Sequence, residues 1–285
     1  MKILPSLSLG LILFTTLAAF AQESITMCGT TAQNTVEFAA LGNDADFRDV
    51  HPNPEAYVHT DAAGKMITFR TPDGQEGSAY AILADEDTDE FLFVIHEWWG
   101  LNDHIKQEAD QLFKDLEEDV NVLALDLYDG KVATNREKAG QLVQSISTER
   151  AQAIINGALA YAGDDADVAT IGWCFGGGWS LQATILAGEQ AAGCVMYYGM
   201  PVKEMSEIEK IDADVLGIFG SQDQGISPEV VKTFEQQMDE ADKDIDVHMY
   251  DAGHGFANPS NPDFNKEATE DAYEKTLAFL KKHLD

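Results

Sequence analysis

Positive charge is scarce in this chain. Its 285 residues carry 18 Lys and Arg against 50 Asp and Glu, a formal net charge of -32. Nucleic acid and anionic membrane surfaces both need a cationic patch, so neither is expected as a partner. Cysteine is scarce as well, with Cys28, Cys174 and Cys194 making up the total of 3. An odd number leaves at least one thiol unpaired, even in an oxidising compartment. No second ligand sits at metal spacing from His96, so neither a metal nor a cofactor is expected. Long apolar runs are missing except near the start, and no internal repeat is found. What is present is enough apolar material, 45% of residues, for one full-sized core.

The early apolar run has the layout of an export signal. Lys2 is a short positive start, "LSLGLILFTTLAAF" is the apolar stretch, and "AFA" precedes Gln22. Residues 1–21 are therefore expected to be a signal peptide cleaved after Ala21, giving a secreted or periplasmic protein. An uncleaved anchor is the alternative reading of so long a run. Residues 22–63 have weak periodicity and a "HPNPEA" stretch, and are expected to be an extension or linker with little structure of its own. Cys28 lies there without the surroundings of a lipoprotein cysteine.

Regular patterning begins at Gly64. "KMITFRTPDGQEGSAYAILA" reads as two strands around a Pro-Asp-Gly turn, an antiparallel hairpin. Strands and helices then alternate. "FLFVIH", "VNVLAL", "VATIG", "CVMYYG", "VLGIFG" and "DIDVHMY" are the strands. Asn102 is placed to cap the helix after the first of these, whose Ala109, Leu112, Phe113 and Leu116 share a face. A final amphipathic helix is expected from about Asn265 to His283. Such alternation predicts an α/β domain over residues 64–285, a mostly parallel sheet with helices on both faces.

Ligands on such sheets bind at the carboxyl ends of the strands. Just past those ends stand Glu97, Cys174, Asp223 and His254. Cys174 lies in Gly172-Trp173-Cys174-Phe175-Gly176, a Gly-x-Ser-x-Gly elbow with cysteine for serine, between a strand and a helix. The order Cys174, Asp223, His254 is the chain order of an α/β-hydrolase triad. A turn at a helix N-terminus favours a thiolate, His254 could exchange a proton near neutral pH, and Asp223 would orient its ring. The N–H groups of Phe175 and Trp98 are the expected oxyanion donors. His96 reads as structural, and the tryptophans Trp98, Trp99 and Trp173 read as core or as walls of an acyl pocket. Cys194 reads as a buried strand residue.

Together with "HEWWGLNDHIKQEADQL", "LALDLYDGKVA", "GSQD" and "GHGFANP", this elbow resembles the dienelactone hydrolase family of α/β-hydrolases, over about Gly64 to Asp285. The resemblance implies a triad of Cys174, His254 and Asp223. It also implies that Glu97 bonds the resting cysteine and releases it as a thiolate when substrate binds. Tyr128, Lys131 and Asn258 fall at its substrate-facing positions. The chain departs from the pattern there: an arginine is expected where Asn258 stands, and a second near Asp129, Gly130 and Lys131. The implied activity is hydrolysis of small esters or lactones through a cysteinyl acyl-enzyme; the net charge of -32 and the missing arginines shift the expected preference to neutral substrates. Thioester or short-amide hydrolysis on the same triad and a non-catalytic binding protein are the alternatives.

Overall fold

The computed structural model describes residues 38–42, 47–48, 51–54 and 56–284. The expected signal segment and Cys28 lie outside them. The hairpin is formed by β1 (Lys65–Arg70) and β2 (Glu76–Ile82), which pair antiparallel around Gly74 at φ +82°. β3 (Glu90–Ile95), β4 (Asn121–Leu125), β5 (Asp167–Trp173), β6 (Ala191–Tyr197), β7 (Asp214–Gly220) and β8 (Ile245–Tyr250) complete an 8-stranded sheet ordered β1-β2-β4-β3-β5-β6-β7-β8. β2 meets β4 antiparallel, and every pairing from β4 to β8 is parallel.

The central strands are apolar on both faces because both are covered. Leu92, Phe93, Val94 and Ile95 of β3 are all at 0% exposure. Each such side chain contributes about 1.5–3 kcal/mol by leaving water. Neighbouring residues of β6 show the two layers directly. A side chain at Gly193 would meet Phe279 of α7 (Lys266–His283), whereas Cys194 faces Ser180 of α4 (Phe175–Ala187). Successive strand residues point to opposite faces, so α7 and α4 lie on opposite sides. The remaining helices are α1 (Asp103–Asp115), α2 (Arg136–Ser145), α3 (Thr148–Ala162), the one-turn α5 (Met205–Ile208) and α6 (Pro228–Glu240). The expected cap is in place, with Asn102 accepting from Ile105 N–H, and Asn265 caps α7 by accepting from Ala268 N–H.

The segment before β1 differs from its expected role as a linker. Its described residues are packed against the domain. Phe38 (3% exposed), Phe47 (6%) and His51 (7%) are buried in the domain. Arg136 holds the segment through its backbone N–H to Asn53 and its guanidinium to Arg48 O. Further along, His59 bonds Asp110 at 2.6 Å. An aromatic side chain can only be hidden by long-range contacts, which local periodicity does not record.

Candidate active site

Cys174 stands between β5 and α4 at φ +57° and ψ -116°, a strained conformation for a residue with a side chain. The strain is held by close backbone packing. A Cβ on Gly176 would lie 2.6 Å from His96 O and nearer still to Ile95 O, so only glycine lets the end of β3 approach the elbow. The Phe175 N–H bonds the Cys174 sulfur.

Asp223 follows β7 and His254 follows β8, and the sheet brings both to the elbow. His254 Nε2 is 3.3 Å from Cys174 Sγ, and its Nδ1 is 2.6 Å from Asp223 Oδ2. The other oxygen of Asp223 accepts from the N–H groups of Gly225 (2.8 Å) and Ile226 (2.9 Å), which fixes the carboxylate. Burial alone would raise Asp223, but the His254 ring and those N–H groups hold its pKa below the ordinary carboxylate value. Burial pulls His254 down, yet the Asp223 carboxylate outweighs it and holds the ring above its ordinary value. Cys174 goes the other way. Its burial exceeds the help from His254 and the Phe175 N–H, so its pKa is raised and the enclosed residue rests as a thiol. The helix N-terminus was expected to favour a thiolate; desolvation wins while the site is closed.

Glu97 sits near this line but does not bond the sulfur. Its Oε2 accepts from Asn258 Nδ2 at 2.8 Å, and burial lifts its pKa to about 7. The expected bond from Glu97 to the resting cysteine is replaced by this one. Glu97 is held by Asn258, which uses one of its two amide N–H donors on that bond. Lys131 is exposed, and its backbone oxygen packs against Gly100. Tyr128 is well placed: its hydroxyl is buried without a partner among the described residues, and its ring packs on Phe175 at 5.3 Å. The loop that carries it is shaped by Asp126, which accepts from Tyr128 and Gly130 N–H, and is held by Arg150 on Asp129. His96 is structural, with Nδ1 on Glu97 O and Nε2 accepting from Leu127 N–H. Cys194 is buried among Thr170, Ser180 and Thr184.

Sequence reasoning missed the roof of the site. His51 Nε2 lies 3.6 Å from Cys174 Sγ, and its ring is 5.1 Å from His254 and 4.7 Å from Trp98. Phe47 covers His254 at 5.0 Å. Cys174 is left 1% exposed. The available signal was the spacing of Phe47 and His51, one helical turn apart, where His51 Nδ1 bonds Phe47 O at 2.7 Å. Tyr198, at φ +36°, was also missed; its ring is 5.1 Å from His254 and its buried hydroxyl has no partner among the described residues.

A parallel sheet with an antiparallel hairpin at one edge, carrying cysteine, acid and histidine past β5, β7 and β8, defines an α/β-hydrolase. The class narrows by comparison. The model of the dienelactone hydrolase family matches residues 78–284, and the chain belongs to that family, a hydrolase of the carboxylic-ester class. A carboxymethylenebutenolidase of a Pseudomonas species is 31% identical over 160 residues, spanning 54% of this chain and 66% of that relative. Carboxymethylenebutenolidase 1 of Cupriavidus pinatubonensis is 26% identical over 232 residues, 76% of this chain and 95% of its own. In fold, the chain is similar to a dienelactone hydrolase-like promiscuous phosphotriesterase from metagenomic libraries. The TM-score is 0.66 at 21% identity, over 78% of this chain and 100% of that one.

Proposed function

We propose that this protein hydrolyses small neutral esters and lactones with Cys174 as nucleophile, and that it acts outside the cytoplasm after cleavage behind Ala21. The observation that carries the reading is the line from Cys174 through His254 to Asp223, at 3.3 Å and 2.6 Å. As the sulfur attacks the carbonyl carbon, His254 takes the thiol proton and Asp223 stabilises the imidazolium. The carbonyl oxygen becomes an oxyanion facing the N–H groups of Phe175 and Trp98. Collapse expels the alcohol oxygen, which receives the proton from His254 and leaves a thioester on Cys174. Water then attacks the thioester, giving a proton to His254 and a hydroxyl to the acyl carbon. The second collapse returns the proton to sulfur and releases the acid.

Neutral substrates are favoured because the usual grip on a carboxylate, an arginine fork, has no counterpart at Asn258 or Lys131. Asn258 is already engaged by Glu97, and a chain of formal charge -32 repels anions. The test uses matched esters that differ by one carboxylate, assayed with chelator present. The neutral member should show the higher kcat/KM, and Asp223→Asn should lower kcat by on the order of 10⁴-fold while the chain stays folded. Preference for the anion would refute the substrate class, and full activity in the Asp223 variant would refute the triad. N-terminal sequencing of exported protein should begin at Gln22; an intact Met1 in that fraction would refute cleavage.

A further inference from the structure

His51 has no part in the hydrolytic cycle, yet it is built into the site with care. Its Nδ1 bonds Phe47 O at 2.7 Å and its Nε2 faces the sulfur of Cys174 at 3.6 Å. His254 is arranged in the same way, with Nδ1 on Asp223 at 2.6 Å and Nε2 at 3.3 Å from the same sulfur. The three donor atoms lie within 4.8 Å of one another, and all three residues are buried. When His254 is the free base that nucleophilic attack requires, the Cys174 thiol has one proton to offer to two ring lone pairs. A proton can satisfy one of them. A cation can satisfy both rings and the sulfur together.

We propose that His51, Cys174 and His254 form a binding site for a single Zn²⁺ ion. The distances fit. Bonds of about 2.3 Å to sulfur and about 2.05 Å to nitrogen, spread at a tetrahedral angle, place sulfur and nitrogen about 3.5 Å apart. The observed separations are 3.3 and 3.6 Å. The donor set of one sulfur and two imidazoles selects zinc over calcium or magnesium, which require oxygen ligands. The outer contacts are also those of metal-bound histidines, one ring held by a carboxylate and the other by a backbone carbonyl. Asp223 and the Cys174 thiolate together balance the ion's two charges, and the acidic protein attracts a dication. On binding, the thiol gives its proton to solvent, and any proton on His254 Nε2 follows it. A water or a substrate oxygen takes the fourth position.

Two consequences follow from the same geometry. Zinc withdraws both the nucleophile and its base, so hydrolysis stops while the ion is bound. It also ties the segment before β1 to the end of β5, because His51 belongs to that segment. His51 and Cys174 are 123 positions apart, so no local spacing in the sequence could display the site.

The test is a titration of the full chain with Zn²⁺, and separately Co²⁺, in excess Mg²⁺ to occupy the acidic surface. One ion should bind per chain. Cobalt should give a thiolate charge-transfer band together with the intense visible bands of tetrahedral coordination. Ester turnover should fall in step with zinc occupancy and return with a chelator. His51→Ala, and His51→Gln if the first variant misfolds, should weaken binding by at least about tenfold, and Cys174→Ser should remove the band. Wild-type chain lacking the thiolate band, or His51 variants that are folded and bind as tightly as wild type, would overturn the site. The cobalt spectrum needs no turnover, so it separates failure of this site from failure of the hydrolase reading.

Discussion

Replacing Phe47 with alanine should raise esterase activity. The phenyl ring is 6% exposed and packs on His51 at 4.6 Å, His254 at 5.0 Å, Phe38 at 5.8 Å and Trp98 at 6.1 Å. Those contacts hold the segment over a cysteine that is 1% exposed, so substrate reaches the sulfur only after the roof lifts. Removing a buried phenyl costs about 3–5 kcal/mol. Here the cost falls on the closed roof, because the sheet does not depend on Phe47. Taking about 3 kcal/mol, and about 1.4 kcal/mol for each tenfold, the open population rises by up to about a hundredfold. Apparent substrate affinity scales with the competent fraction, so kcat/KM should rise by at least about tenfold, up to the point where the open form dominates. The assay is steady-state hydrolysis of a short-chain nitrophenyl ester with chelator present, and iodoacetamide labelling of Cys174 should accelerate in parallel. A folded variant with unchanged or lower kcat/KM and unchanged labelling would show that the segment is a fixed wall of the site.

Two further outcomes test other parts of the account. Gly176→Ala would force a Cβ against His96 O and Ile95 O, so it should destabilise the fold by about 1–3 kcal/mol and depress kcat; a variant equal to wild type in thermal melting and turnover would contradict the close approach. Glu108 is lifted from 4.5 to about 7 by burial and then by the Asp115 charge. Its folded pKa lies above the unfolded one, so its contribution is complete below pH 4.5 and is lost as pH climbs to about 7, at most about 3 kcal/mol. Denaturation of wild type and Glu108→Gln at pH 5 and 8 should show the smaller decline in the variant; equal declines would refute the assignment.

The parts of the site that were legible in the sequence are those built at strand ends. The elbow around Cys174 announces itself by its glycines, because close backbone packing admits nothing larger. Asp223 and His254 follow from the order of strands, since each strand end delivers its next residues to one edge of the sheet. The hairpin and the cap at Asn102 are local and were equally readable. What could not be read is what depends on partners far away in the chain. Glu97 and Asn258 are 161 positions apart, so their bond is invisible to pattern. The balance at Cys174 between helix N-terminus and desolvation depends on a roof supplied by Phe47 and His51, residues with no periodic context. Arg136 illustrates the same limit, since its role is to hold that roof through Arg48 O and its backbone to Asn53.

Attack of Cys174 on the ester carbonyl is the step on which the proposed activity turns. Rapid-quench intact-mass analysis with a slowly hydrolysed nitrophenyl ester tests it directly. One acyl group per chain is expected, located on the peptide that carries Cys174, forming and decaying fast enough to support turnover. In Cys174→Ala both the adduct and the turnover should be absent from a folded protein. Ester hydrolysis at the wild-type rate in that variant would contradict the claim.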